Sequence, residues 1–211
     1  MLPATSGLSN RDLALLAWIG EQYGARIDHL QTLTGFGASG VRTIVRRMRR
    51  AELVRTERIV ALQPAWAIPS AGGLAVCGLP YGVWTPVLGR LTHVAAVNDV
   101  RLHVQTQRPD SEWLSERQLE WELAKSARRG RHTPDGVLRL EGREVAIEVE
   151  LSLKRPEGVE AVLNHHARRF DAIMYYCAPQ TIRLLTRLEK TGRWPKLAVR
   201  ELPQPRYLRE R

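Results

Sequence analysis

Between residues 145 and 151 the chain alternates strictly: Val145, Ile147, Val149 and Leu151 fall on one parity, Ala146, Glu148 and Glu150 on the other. A helix scatters such a pattern around its axis, whereas an extended strand sorts it completely, one set to each face. The apolar face is predicted to pack on a core. The opposite face presents two carboxylates, joined by Ser152 and Lys154 if the strand extends that far. A neighbouring strand is predicted over 135–140, across the turn Glu141-Gly142-Arg143. Pairing of this hairpin around 140 and 145 sets Asp135 roughly opposite residue 150, so Asp135, Glu148 and Glu150 gather at one end. Carboxylates so gathered repel one another, and Mg2+, which takes hard oxygen ligands, is the natural counter-charge.

The flanks of this hairpin extend the pattern. Ser115 and Gln118 predict a capped helix running to about residue 127, carrying Glu116, Glu120 and Glu122. A basic turn follows, Arg128-Arg129-Gly130-Arg131-His132. Helices are predicted over about 157–170 and 179–190, and strands over 172–177 and 197–202. The order α-β-β-α-β-α-β predicts a mixed-sheet α/β (α+β) domain over 112–211. His165 and His166 lie mid-helix with no partner at ligand spacing and read as structural. Trp113, Trp121, Tyr175, Tyr176 and Trp194 read as core.

The first seventy residues follow a helical period instead. Ser9 and Asp12 form a capping-box pattern, with Leu8 and Leu13 placed as a staple, and predict a helix over 9–24. A short helix over 26–33 ends at Thr34-Gly35, and a third is predicted over about 39–51, capped by Ser39. In the third, Val41, Ile44, Val45 and Met48 form one apolar stripe. Arg42, Arg46, Arg49 and Arg50 fall on other faces, with Arg47 nearby. A recognition helix needs this division: one side holds it to the core while the basic side meets phosphates and base edges. The apolar runs Leu53-Val54, 59–62 and 66–68, with Arg55 and Arg58 between the first two, read as a two-stranded basic wing. Residues 1–70 therefore predict a winged helix-turn-helix that binds double-stranded DNA. A formal net charge of +10 fits a polyanionic partner.

Between the halves, Gly72-Gly73, Gly78, Pro80, Gly82 and Pro86 mark 70–90 as irregular, and a helix is expected over 91–105. Residues 71–111 read as a linker and connecting helix, with Asn98 and His93 as satisfied structural polar groups. Cys77 and Cys177 form no CxxC pair, which argues against a zinc framework or a disulfide scaffold. No stretch reaches the roughly 18 apolar residues of a membrane helix, and the first residues lack a secretory pattern; the expected location is cytoplasmic.

Pro134-Asp135 followed by Glu148-Val149-Glu150 resembles the PD-(D/E)xK nuclease superfamily over roughly 112–202, with Glu116 matching the glutamate often carried on the preceding helix. The superfamily's lysine position is Glu150 here. Some of its restriction endonucleases carry Glu-x-Glu, and Lys154 is placed to supply an ammonium from the same strand face. A resemblance over nearly the whole chain is to the replication-relaxation family. It is carried by Trp66-Ala-Ile68-Pro-Ser-Ala-Gly72, Gly78-Leu-Pro-Tyr81, Leu91-Thr-His93, Val97-Asn98-Asp99-Val100, Glu112-Trp-Leu-Ser-Glu116-Arg117, His132-Thr-Pro-Asp135 and Val145-Ala-Ile-Glu148-Val-Glu150-Leu-Ser. That family is associated with plasmid replication and relaxation in actinobacteria and other Gram-positive bacteria.

Two readings stand side by side. In the first, the resemblance implies a metal-dependent endonuclease of a plasmid or mobile element. Asp135 and Glu148 bind Mg2+ or Mn2+. Glu150 or Lys154 orients or deprotonates water, Glu116 assists, and Arg128, Arg129, Arg131 and His132 hold the DNA backbone. In the second, the chain is a non-catalytic replication or transcription regulator whose nuclease-like domain serves dimerisation or partner binding. A homodimer and other replication or mobile-element proteins are the partners such a chain would take.

Overall fold

The computed structural model describes residues 8–125 and 132–209. The chain is of mixed α+β class and divides into two compact units. One is built from the chain up to Leu102 together with the segment from Gln204 onward; the other spans His103–Pro203.

In the first unit, α1 (Asn10–Glu21) starts where its sequence says it should. Ser9 Oγ accepts the Asp12 amide at 3.2 Å and Asp12 Oδ2 accepts the Ser9 amide at 3.1 Å. After the two-residue strand β1 (Ala25–Arg26), α2 (Ile27–Thr34) ends on Gly35, whose φ of +71° suits a residue without Cβ. Helix α3 (Ala38–Arg50) is capped by Gly37 in extended conformation. Ser39 is not its cap: it lies inside the first turn, where its carbonyl accepts the Thr43 hydroxyl. Val41, Ile44, Val45 and Met48 are all buried against Leu15, Leu16, Ile19 and Leu30. At roughly 1.5–3 kcal/mol per enclosed large apolar side chain, that stripe is what holds α3 in place.

Strands β2 (Val54–Glu57) and β3 (Trp66–Pro69) pair antiparallel, and β1 adds to the other side of β3, giving the order β1-β3-β2. All four residues of β3 are buried, as befits a central strand. The apolar run at 59–62 is not strand. Ile59 and Val60 lie in the β2–β3 connection and pack on a cluster of Trp66, Ile68 and Trp84.

The segment read as linker is largely structured. Ser70 caps α4 (Ala71–Val76) through the Gly73 amide at 3.0 Å, and α5 runs over Leu88–Gln107. A Cβ on Gly73 would strike the Leu53 carbonyl oxygen, so glycine there permits a close backbone approach. Trp84, Leu91, Val94 and Ala95 complete the Trp66 cluster. Glycine and proline content marked irregular backbone; it did not report that buried tryptophan and leucine tie the segment to the first unit. Asn98, expected to be a satisfied structural group, is buried and donates to the Gly24 carbonyl at 2.9 Å, but its Oδ1 makes no hydrogen bond among the described residues. A short helix, α9 (Arg206–Arg209), also belongs to this unit, with Arg26 stacked 4.7 Å from the Tyr207 ring.

The second unit carries the elements β4 (Glu112–Ser115), α6 (Glu116–Lys125), β5 (Gly136–Leu140), β6 (Arg143–Glu150), α7 (Pro156–Ala167), β7 (Ala172–Cys177), α8 (Pro179–Lys190) and β8 (Leu197–Glu201). Its sheet has the order β4-β5-β6-β7-β8; the first two pairings are antiparallel and the last two parallel. Strand β4 is additional to the expected elements. Its two large apolar residues, Trp113 and Leu114, are both buried, so no alternation announces it. Trp113 lies across Gly136, where a Cβ would collide with its ring.

The β5–β6 hairpin turns on Glu141 and Gly142, both at positive φ, a geometry matched to the twist of paired strands. Leu140 pairs with Arg143 and Gly136 with Ile147. The register is therefore shifted from the expected 140/145 pairing, and it brings Asp135 beside Glu148 rather than Glu150. The one-sided burial expected of β6 is also corrected: both faces are covered. Glu148 and Glu150 pair with Tyr175 and Cys177 of β7 and share their face, on which Val159 and Leu163 of α7 and Leu185 of α8 pack. A strand with a parallel neighbour reached through a helical crossover is covered by that helix.

Candidate active site and candidate nucleic-acid surface

The fold collects the predicted acidic residues at one end of the sheet. Asp135 immediately precedes β5, and its Oδ2 accepts the Val149 amide at 2.7 Å. Glu148 and Glu150, on one face of β6, are each only 5% exposed. Ser115 pairs with Gly136, so Glu116 opens α6 at the same end of the sheet as Asp135. Ser115 Oγ accepts the Gln118 amide at 3.2 Å, which fixes where α6 begins.

Buried carboxylates need partners, and the chain supplies them. Lys154, in the segment after β6, places Nζ 2.7 Å from Glu150 Oε2. Burial opposes its charge, but the Glu150 hydrogen bond and the charges of Glu150, Glu148 and Asp135 outweigh that, and its pKa is raised. Glu148 is held differently. His166 Nε2 lies 2.7 Å and His132 Nε2 3.0 Å from the same oxygen, Oε1. Burial pushes the Glu148 carboxyl up; the two imidazoles more than reverse this and hold it below the ordinary carboxylate range. The Glu148 hydrogen bond in turn raises the pKa of His132. Tyr175, beneath the cluster, is pushed up by burial and by the charges of Glu148, Glu150 and Asp135.

His166, read as structural with no partner at ligand spacing along the chain, has its partner on another element. It is fully buried and bonded to Glu148, while its Nδ1 makes no hydrogen bond among the described residues. The helical spacing of α7 held no sign of this, because the partner lies on β6. His132, grouped by sequence with the basic turn, is turned onto Glu148. Arg128, Arg129 and Arg131 of that turn lie outside the described residues. A cavity of about 210 Å³ lined by Leu119, Leu123, Pro134 and Phe170, with Glu122 and Arg169, lies alongside Pro134. Trp113, Tyr175, Tyr176 and Trp194 are buried as expected, whereas Trp121 is only partly buried, with Lys125 Nζ 3.3 Å from its ring centroid.

In the first unit, Arg42, Arg46, Arg49 and Arg50 are exposed on α3, opposite its buried stripe. Arg47 differs: it donates to Asp12 Oδ2 at 2.8 Å and ties α3 to the cap of α1. Arg55 is exposed on β2 and donates to the Trp84 carbonyl at 3.2 Å; Arg58 is exposed in the β2–β3 connection.

Among the described residues, no helix is long and apolar enough to cross a membrane. No protein-family model matches the chain, and no curated protein or solved structure matches it.

Proposed function

We propose that the chain is a DNA-binding protein of a plasmid or mobile element, with a winged helix-turn-helix as its first unit and a metal-dependent endonuclease of restriction-endonuclease-like fold as its second. The observation that carries the catalytic half is the Lys154–Glu150 contact within the Asp135–Glu148 cluster: an ammonium stands where the Glu150 position lacks one. The order helix, short helix, basic helix and antiparallel strands supports the DNA-binding half, together with four exposed arginines on α3. Such a protein works in the cytoplasm, on double-stranded DNA.

The oxygens of Asp135 and Glu148 are hard donors gathered at one end of the sheet, and they fit a divalent cation such as Mg2+ or Mn2+. A bound ion supplies polarisation of the scissile phosphate and a more acidic attacking water. The chain's own groups do the rest. Lys154, its pKa raised, is an ammonium at neutral pH, so it donates to a phosphate oxygen or to water and does not act as a base. Glu150 aims Lys154 and holds an acceptor for the water's proton. Glu116 supports the ion from α6. Arg42, Arg46, Arg49 and Arg50 neutralise phosphates and reach base edges, with Arg55 and Arg58 on the wing.

Supercoiled plasmid incubated with the protein and Mg2+ or Mn2+ is expected to be nicked, and Asp135→Ala to abolish nicking. Absence of nicking with either ion refutes the catalytic half. One observation favours the second reading, a non-catalytic regulator: Lys154 already pairs with Glu150, and His132 and His166 already hydrogen-bond Glu148, within the chain. Under that reading the plasmid is bound but stays supercoiled, and the second unit serves dimerisation or a partner protein.

A further inference from the structure

The cluster at the end of β5 and β6 contains more than hard oxygen donors. The ammonium of Lys154 is taken by Glu150. Glu148 Oε1 is approached by two imidazole nitrogens from separate elements, one from α7 and one from the segment ahead of β5. The two ring centroids are 5.2 Å apart, and one ligand atom from each of His132, Glu148 and His166 lies within 4.8 Å of the other two. Two imidazoles and one carboxylate form the donor set of three-ligand sites for zinc and other borderline divalent ions, which keep a further position open. With bonds of about 2.0–2.2 Å, tetrahedral ligands stand about 3.3 Å apart, so a small outward movement of the two rings accommodates an ion.

Burial is graded as such a site requires. Glu148 and His166 are enclosed, whereas the His132 side chain is 41% exposed and leaves a route from solvent. Mg2+ takes oxygen ligands and retains several waters, so it gains little from two imidazoles. One cost is visible: coordination through His166 Nε2 puts the ring proton on Nδ1, which has no acceptor among the described residues. The metal bond has to exceed that cost.

We propose that His132, Glu148 and His166 bind one divalent ion of borderline class, with Zn2+ as the representative. The inference deepens the endonuclease reading and rests on it for any role in cleavage, though not for binding.

The test uses tag-free, full-length protein. Calorimetry is expected to show one equivalent of Zn2+ bound, and Co2+ to develop visible absorption on binding and lose it when Zn2+ is added. His132→Ala, on a half-exposed residue, should keep the far-ultraviolet circular dichroism of the parent. It should weaken Zn2+ binding at least tenfold, since loss of even a supporting residue costs roughly 10–100-fold. His166→Gln should do the same; because that residue is enclosed, His132→Ala alone decides the matter if His166→Gln misfolds. No saturable Zn2+ binding overturns the proposal. So does Zn2+ affinity that is lost in Asp135→Ala but unchanged in His132→Ala, because the ion would then sit on oxygens alone. Zn2+ binding without plasmid nicking under any metal leaves the site standing and removes the endonuclease reading; Mg2+-dependent nicking without Zn2+ binding does the reverse.

Discussion

Helix α3 and strand β6 each concentrate charge of one sign, and they dispose of it in opposite ways. On α3 the arginines at 42, 46, 49 and 50 point to solvent, and the helix is held by the apolar stripe beneath them. On β6 the two glutamates point inward, under α7 and α8, and the chain brings its own hydrogen-bonding partners to them. Exposed charges cost the fold little, because water screens them. Buried charges must be paired within the chain, because an unpaired one is expensive. The arginines of α3 are left open to solvent; the glutamates of β6 find their partners within the chain. Arg47 is the exception that ties the first surface to its own fold, through Asp12.

Three variants probe that contrast. The largest effect is expected from Glu148→Ala, which takes the acceptor from the fully buried His166. Unfolding free energy measured in urea should fall by about 3 kcal/mol, the upper end of the cost of leaving a buried polar group unsatisfied. A loss below about 1 kcal/mol would mean that the cluster contributes little to the fold.

The double substitution Arg46→Ala with Arg49→Ala should leave stability within about 0.5 kcal/mol, as for surface changes generally. It should flatten the plot of log affinity for duplex DNA against log salt by about 1.8, two phosphate contacts at about 0.9 each. An unchanged slope would place the DNA on another surface.

The smallest effect is expected from Arg47→Ala. It should cost about 1 kcal/mol or less, since its guanidinium is half-exposed and the pair with Asp12 is partly screened. Its salt slope should match that of the parent protein. A slope reduced as much as by Arg46→Ala alone would show that Arg47 leaves Asp12 for phosphate, and the exception would disappear.

Much of the local structure was legible from short-range pattern. The Ser9–Asp12 box, the stripe from Val41 to Met48, the turn at Glu141-Gly142 and the elements from β5 to β8 each follow from residues a few positions apart. What failed were matters of context. Strand β4 has both of its large apolar residues buried and so shows no alternation. Ser39 has a capping side chain, yet the helix starts earlier and Gly37 takes the cap. Trp84 sits in a glycine- and proline-rich stretch whose composition masked a packed segment.

The candidate site divides along the same line. Asp135, Glu148, Glu150 and Lys154 were named from spacing on one strand and its neighbour, because the two-residue period fixes which side chains share a face. The two-residue shift of the hairpin, which seats Asp135 by Glu148, was not fixed by the apolar pattern, since a shift of two preserves every face. His166 lies 18 positions from Glu148, and Lys154 reaches Glu150 from beyond the strand. The sequence by itself determined which residues carry charge and which face each occupies, because periodicity is local. Only the tertiary structure decided that the acidic face is buried under α7 and that two histidines close on one of its oxygens, because those contacts depend on a crossover helix and a register that no short window of sequence contains.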